Sequence, residues 1–188
     1  MSRVQRVQAR LGDLDALLLN DLTNIRWLTG FTGSNGWVIV AADGLTLVTD
    51  GRYGEQAAAQ MAQAGVDGSV LVGATGAATL QHIADTCNRS RRVGFEAAHV
   101  TFAQHRQYSQ LITAELVPTE GVVEAERRSK NDAEIEAIAR ACRIADQALA
   151  EVAPRLGEGL TEAEVRNLLE IRMRELGATG PSYETIVA

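Results

Sequence analysis

The stretch G-W-V-I-V-A-A-D-G-L-T-L-V-T, residues 36–49, decides the fold. Two runs of aliphatic and β-branched residues flank Ala42-Asp43-Gly44. Asp-Gly is a dipeptide that readily adopts the positive-φ backbone of a tight hairpin turn. The spacing predicts strands over 36–41 and 45–49, paired antiparallel. Upstream, D-A-L-L-L-N (15–20) is an apolar run of strand length. Before it, Val4, Val7 and Leu11 recur at helical spacing between a capping Ser2 and a stopping Gly12, which predicts a helix over 2–11. Downstream the pattern turns to alternation: helix near 53–64, strand 69–72, helix near 77–88, strand 92–95, helix 102–113, strand 115–118. Thr101 and Gln104 stand at capping-box spacing before the last of these helices. Six strands with intervening helices imply an α/β fold on a mixed six-stranded sheet that ends near Val117.

The segment T-E-G-V-V-E-A-E-R-R-S-K (119–130) is polar and lacks a clear period, so it reads as a linker. This places a first domain at 1–120, a linker at 121–130 and a second module at 131–188. In that module Ile135, Ile138, Ala139, Cys142, Ala145, Leu149 and Val152 fall on one helical face behind Asn131 and Glu134. A second helix opens at Thr161 and Glu164, turns Val165, Leu168, Leu169, Met173 and Leu176 inward, and stops at Gly177. The closing G-P-S-Y-E-T-I-V-A (180–188) reads as a strand announced by a Gly-Pro turn. Two amphipathic helices and one strand lack the sheet their apolar faces require. Leaving about eight large apolar side chains in water would forgo roughly 1.5–3 kcal/mol each, more than the net stability of a typical domain. The second module therefore reads as truncated, and the exposed faces predict a homodimer or higher homo-oligomer.

Composition excludes several classes of function. A net charge of −6 argues against nucleic acid, whose binding rests on Lys and Arg neutralising phosphates. No apolar run approaches the ~20 residues of a bilayer crossing, and the N-terminus lacks the apolar core of a secretory signal. The expectation is a cytoplasmic protein with no membrane partner. Cys87 and Cys142 lie within helical apolar patterns and read as two buried free thiols. His82, His99 and His105 form no H-x-x-x-H, so structural roles are expected for them and no metal cluster is visible. Glu120, Glu124 and Glu126 fall in the aperiodic linker and read as a solvated loop. Ser34 lacks the G-x-S-x-G frame of a nucleophile, and Gly30, Gly33 and Gly36 around it read as a tight, exposed turn. Asp50 is placed to pair with Arg52 and fasten a strand-to-helix corner.

N-I-R-W-L-T-G-F-T-G-S-N-G (24–36), followed by T-D-G-R-Y-G-E-Q-A (49–57), resembles the N-terminal domain of the creatinase and prolidase family, specifically of Xaa-Pro aminopeptidases. Independently, Arg127, Lys130 and Glu134, then A-C-R-I-A-D (141–146) and G-L-T-E-A-E-V (159–165), resemble the opening of that family's "pita-bread" catalytic domain. The resemblance runs along essentially the whole chain. It implies a three-layer creatinase/prolidase N-terminal domain followed by the first two helices and strand of an α+β pita-bread segment. It also implies hydrolysis of the bond before proline in peptides with proline at the second position. In that family two divalent metal ions (Mn, Co or Zn) are held by two aspartates, one histidine and two glutamates. All of these positions would lie beyond Ala188, so no metal and no catalytic residue is expected within these 188 residues, and the chain alone should be inactive. Of the family's substrate-pocket residues, Tyr183 maps into this chain. The loop before L-T-G-F, which in the family reaches the neighbouring subunit's active site, nominates Asn24 and Arg26. Two alternatives stand beside the peptidase: a free-standing, non-catalytic assembly or regulatory module of the same fold, and creatinase-type chemistry, which breaks a C–N bond without metal.

Overall fold

The computed structural model describes every residue except Glu158 and divides into two compact units, Met1–Ser129 and Lys130–Ala188. The first unit runs α1 (Arg3–Gln8), β1 (Ala16–Leu19), α2 (Leu22–Thr29), β2 (Gly36–Ala41), β3 (Gly44–Asp50), α3 (Gly54–Gln63), β4 (Ser69–Gly73), α4 (Gly76–Cys87), β5 (Arg92–Glu96), α5 (Phe102–Leu111), β6 (Glu115–Thr119) and α6 (Val122–Arg127). The six strands form one sheet in the order β4-β3-β2-β1-β5-β6. The hairpin forms in the expected place, in register from Gly36 opposite Thr49 to Ala41 opposite Gly44, but its turn is Ala42-Asp43: Gly44 already pairs as the first residue of β3, and neither the turn residues nor Gly44 takes positive φ. β1 pairs antiparallel with β2 and parallel with β5, while β4 joins β3 and β6 joins β5 in parallel. β2 is thus the one strand that runs against the other five.

Side chains alternate across the pleat, so each strand feeds two cores. Leu17, Leu19, Val38, Val40, Leu45 and Leu47 face Val7 and Leu11 near α1, Ile25 and Leu28 of α2, Ala57 and Met61 of α3, and Val123 of α6. Ala16, Leu18, Ile39, Val48, Val93 and Phe95 face Ile83, Ala84 and Cys87 of α4 and Tyr108 of α5. The result is three layers, with a mixed six-stranded sheet between two helical ones.

Two helices stand where the sequence reading has loop or linker. α2 begins at Asp21, whose side chain accepts from the Thr23 N–H, and ends at Gly30, which takes φ 78° at the C-cap. Both signals are ordinary helix punctuation, and Ile25 and Leu28 supply the buried face. α6 occupies 122–127 inside the expected linker, and its Val123 is 1% exposed. The expected solvated loop at Glu124 and Glu126 is therefore corrected: Glu126 pairs with Arg6 and Arg10 near α1 with its own side chain only 13% exposed. The first unit accordingly reaches Ser129. The turn at 30–36 is also less exposed than its glycines suggest. Gly33 and Gly36 are buried against the Phe31 ring, which is itself 1% exposed.

The second unit holds α7 (Asp132–Val152), a 3-10 turn at Ala153–Arg155 and α8 (Glu162–Glu175). Thr161 with Glu164 forms the expected capping box, and Asn131 with Glu134 at the start of α7 forms another. Arg172 of α8 bonds Glu151 of α7. Ala148, Val152 and Val165 are buried, but Ile135, Ile138, Leu149 and Ile171 are each more than half exposed. Cys142 is exposed as well, against the expectation of two buried thiols. The tail after Gly180 forms no strand, because a strand requires a partner and none of the described residues pairs with it.

Candidate functional site

Five strands share a direction, so their carboxyl ends and the turns that follow gather at one edge of the sheet. In open α/β sheets this edge is where ligands usually bind. Here it collects Asn20 to Asn24, Asp50 to Tyr53, Glu96 to His99 and Thr119 to Glu124, and the opposed β2 brings Asn35 to the same side.

At its centre lies a buried carboxylate. Glu96, 7% exposed, accepts from the N–H groups of Asn20 (2.6 Å) and Asp21 (2.7 Å) through Oε2, and from Asn24 Nδ2 (2.6 Å) through Oε1. Asn24 is fully buried, and both polar atoms of its side chain are bonded. Its Nδ2 also donates to Glu124 Oε1 (2.6 Å), and its Oδ1 accepts from Arg127 Nη1 (2.7 Å). Burial of charged and amide groups is tolerated only when they are bonded in this way. Asn24 is thus a buried amide in α2 that joins β5 to α6. Beside it, Asp21 accepts from the Thr23 N–H through Oδ1 (2.9 Å), and its Oδ2 lies 3.5 Å from His99 Nε2. Asp21, His99 and Glu124 each present a ligand atom, and the three atoms lie within 4.8 Å of one another. Glu96, His99 and Glu124 line a cavity of about 20 Å³ that extends to Glu120.

A second cluster fastens the β3–α3 corner. Arg52 binds Asp50 in bidentate fashion, Nε to Oδ1 at 3.0 Å and Nη2 to Oδ2 at 2.9 Å, and Asn35 Nδ2 donates to Oδ2 at 2.6 Å. The Arg52 guanidinium first and the Asn35 amide second hold the Asp50 carboxyl well below the usual carboxylate range. A carboxylate so fully engaged is suited to anchoring rather than to proton transfer, in line with the expected corner ion pair. Ser34 Oγ and the Tyr53 hydroxyl are 2.8 Å apart, and the Thr32 N–H donates to Gln60 Oε1 at 2.9 Å, so the 32–35 turn is tied to α3. Next to Asp50 a cavity of about 320 Å³ is walled by Asn35, Trp37, Leu80 and Tyr108.

Of the other residues the sequence nominates, Arg26 lies exposed on α2 and Tyr183 is 78% exposed in the second unit. Tyr183 and Arg26 sit in different units, so they are placed separately. His105 stacks at a tilt on Phe95, ring centroids 5.2 Å apart, and His82 is half-buried on α4, as their structural reading requires. The Glu96 network and the Asp21–His99–Glu124 group had no sequence signal, since their members come from segments that share no local pattern. Among the described residues, that group offers three ligands. This is too few for two bridged metal ions, so these residues do not fit a dinuclear centre.

The first unit is an α/β domain on a mixed six-stranded sheet, with a buried polar network at the carboxyl edge of its strands. Residues 3–129 match the Creatinase/Prolidase N-terminal domain family, and residues 136–188 match Metallopeptidase family M24. The chain belongs to the creatinase/prolidase family. It is 36% identical over 191 residues to the uncharacterized peptidase YqhT of Bacillus subtilis, covering 100% of this chain and 52% of that protein. Among solved structures it is similar to an Xaa-Pro dipeptidase from Bacillus anthracis, with a TM-score of 0.90 and 30% identity, covering 97% of this chain and 51% of that one. It is also similar to the N-terminal domain of the cytoplasmic peptidase PepQ of Mycobacterium tuberculosis, with a TM-score of 0.58 and 33% identity, covering 65% of this chain and 96% of that one. The chain spans about half the length of the full-length relatives it matches. Among the described residues no helix is long and apolar enough to cross a membrane.

Proposed function

We propose that this chain is the N-terminal portion of a cytoplasmic Xaa-Pro aminopeptidase or dipeptidase that hydrolyses the bond before proline, and that it shapes the substrate site and the homodimer. The reading rests on the tandem match of a creatinase/prolidase N-terminal domain and an M24 segment in one chain, with relatives about twice as long. The apolar face of α7, with Ile135, Ile138 and Leu149 in water, supports it, because such a face is stable only when covered. Two divalent metal ions (Mn, Co or Zn) would be held by the half of the relatives' length that this chain does not span. The chemistry has a physical logic. An Xaa-Pro bond has no amide N–H and restricts the residue before it, so a site for it cannot rely on gripping the scissile N–H. Tyr183 and Arg26 are the proposed substrate contacts in this chain. Asn24, being buried, would act by holding the start of α2 in place.

The test is turnover. The purified chain with Mn²⁺ and an Xaa-Pro peptide should show no hydrolysis, whereas the intact native product should cleave the peptide and weigh about twice as much. Metal-dependent hydrolysis by the pure chain, or a native product ending at Ala188, would overturn the proposal.

A further inference from the structure

We infer that Asp21, His99 and Glu124 in the first unit bind one divalent transition-metal ion of the Zn²⁺ or Co²⁺ class, with water completing its shell. The three side chains come from three separate places: the N-cap of α2, the turn after β5, and α6. The fold alone brings them together. Their ligand atoms lie within 4.8 Å of one another. His99 Nε2 and Asp21 Oδ2 are 3.5 Å apart, longer than the usual 2.7–3.2 Å of an N–H···O bond. That spacing is close to the separation of about 3.3 Å between two ligands that each bind a tetrahedral ion at about 2.0–2.1 Å.

The surroundings orient these ligands. One oxygen of Asp21 takes the Thr23 N–H at 2.9 Å, and Glu124 Oε1 takes Asn24 Nδ2 at 2.6 Å. Asn24 is in turn fixed by Glu96 and Arg127. Carboxylates whose second oxygen is held by a hydrogen bond, themselves backed by a further layer, are the usual outer shell of a metal site. Space and charge agree with this assignment. A cavity of about 20 Å³, enough for one water-sized body, lies against two of the three ligands, His99 and Glu124, and against Glu96. Glu96 at 7% exposure takes its three hydrogen bonds from neutral N–H donors, and Glu120 lies on the same wall. A dication would offset this concentration of carboxylates. One imidazole with two carboxylates suits Zn²⁺, Co²⁺ or Mn²⁺ better than Ca²⁺ or Mg²⁺, which prefer oxygen alone. The bound ion would clip α2, the β5 turn and α6 together.

Calorimetric titration of chelator-treated 188-residue chain with Zn²⁺ tests this, on a Cys142→Ser background because that exposed thiol would compete. One ion per chain should bind, and Zn²⁺ should raise the melting temperature. His99→Gln should weaken binding at least tenfold and remove the thermal shift. Asp21→Asn, which keeps the N-cap, and Glu124→Gln, which keeps the acceptor for Asn24, should each do the same. Melting in chelator shows whether a variant is folded. Should the variants fail to fold, Mn²⁺ line broadening in the unsubstituted chain decides the question, with the amide signals near 21–24, 97–99 and 122–126 expected to vanish first. Fewer than half an ion per chain, affinity changed less than twofold by His99→Gln and Asp21→Asn, or broadening elsewhere would overturn the inference. None of these readouts depends on peptidase activity, so its failure leaves the peptidase proposal standing.

Discussion

Replacing Asn24 probes the buried network most directly. Asn24→Ala deletes one of the three donors to Glu96 and both bonds that reach α6. A hydrogen bond to a charged group contributes about 1.5–3 kcal/mol, and the bond lost is one to the buried Glu96 carboxylate. Glu124 and Arg127 are half-buried and can rehydrate or pair with each other across one helical turn, so their two bonds together add only about 0.5–1 kcal/mol. The sum is a loss of about 3 kcal/mol. Asn24→Asp has the same shape but sets a third carboxylate between Glu96 and Glu124, so it should cost more than the alanine at neutral pH despite leaving no cavity. The sequence has two tryptophans, Trp27 and Trp37, and both lie in the first unit, so their fluorescence in urea reports that unit's unfolding. An alanine variant that loses less than about 1 kcal/mol, or an aspartate variant as stable as the alanine one, would refute this account of the network.

Gly33→Ala should destabilise the first unit by at least about 1–3 kcal/mol, the cost of overpacking. A Cβ there would collide with Cζ of the buried Phe31 ring, and a melt unchanged from the parent would show that the turn can yield. A disulfide reagent should label one thiol per native chain, Cys142, and reach Cys87 only on unfolding. Burial pushes the Cys87 thiol from 9.0 up to about 12. Between those values the unfolded chain has released a proton that the folded chain keeps. Stability should therefore fall as pH rises from about 9 toward 12, by up to about 1.4 kcal/mol per pH unit, and Cys87→Ala should flatten that slope.

Much of the architecture was legible because its signals are local. The Asp-Gly dipeptide announced the β2–β3 hairpin, the apolar periods announced the alternating helices and strands, and Thr101 and Thr161 announced their helix starts through capping boxes. Even α2 carried legible punctuation in Asp21 and Gly30, although the surrounding N-I-R-W-L-T-G-F reads as loop. α6 carried almost none. Six residues do not span two helical turns, so Val122 and Val123 among charges display no period, and only the core that receives Val123 makes the segment part of the first unit. The same distinction separates the two polar clusters at the sheet edge. Asp50 and Arg52 are two residues apart, so their ion pair can be read from the chain. Asn24 reaches partners 72, 100 and 103 residues away, and no local pattern encodes such distances. By itself, then, the sequence determined the elements, their caps, the mixed α/β class and the family likeness, since each depends on neighbours within a few residues. Only the tertiary structure decided which carboxylates are buried, that Asn24 bonds both Glu96 and Glu124, and that His99 stands beside Asp21 and Glu124. Those outcomes depend on which chain ends the parallel strands bring to one edge.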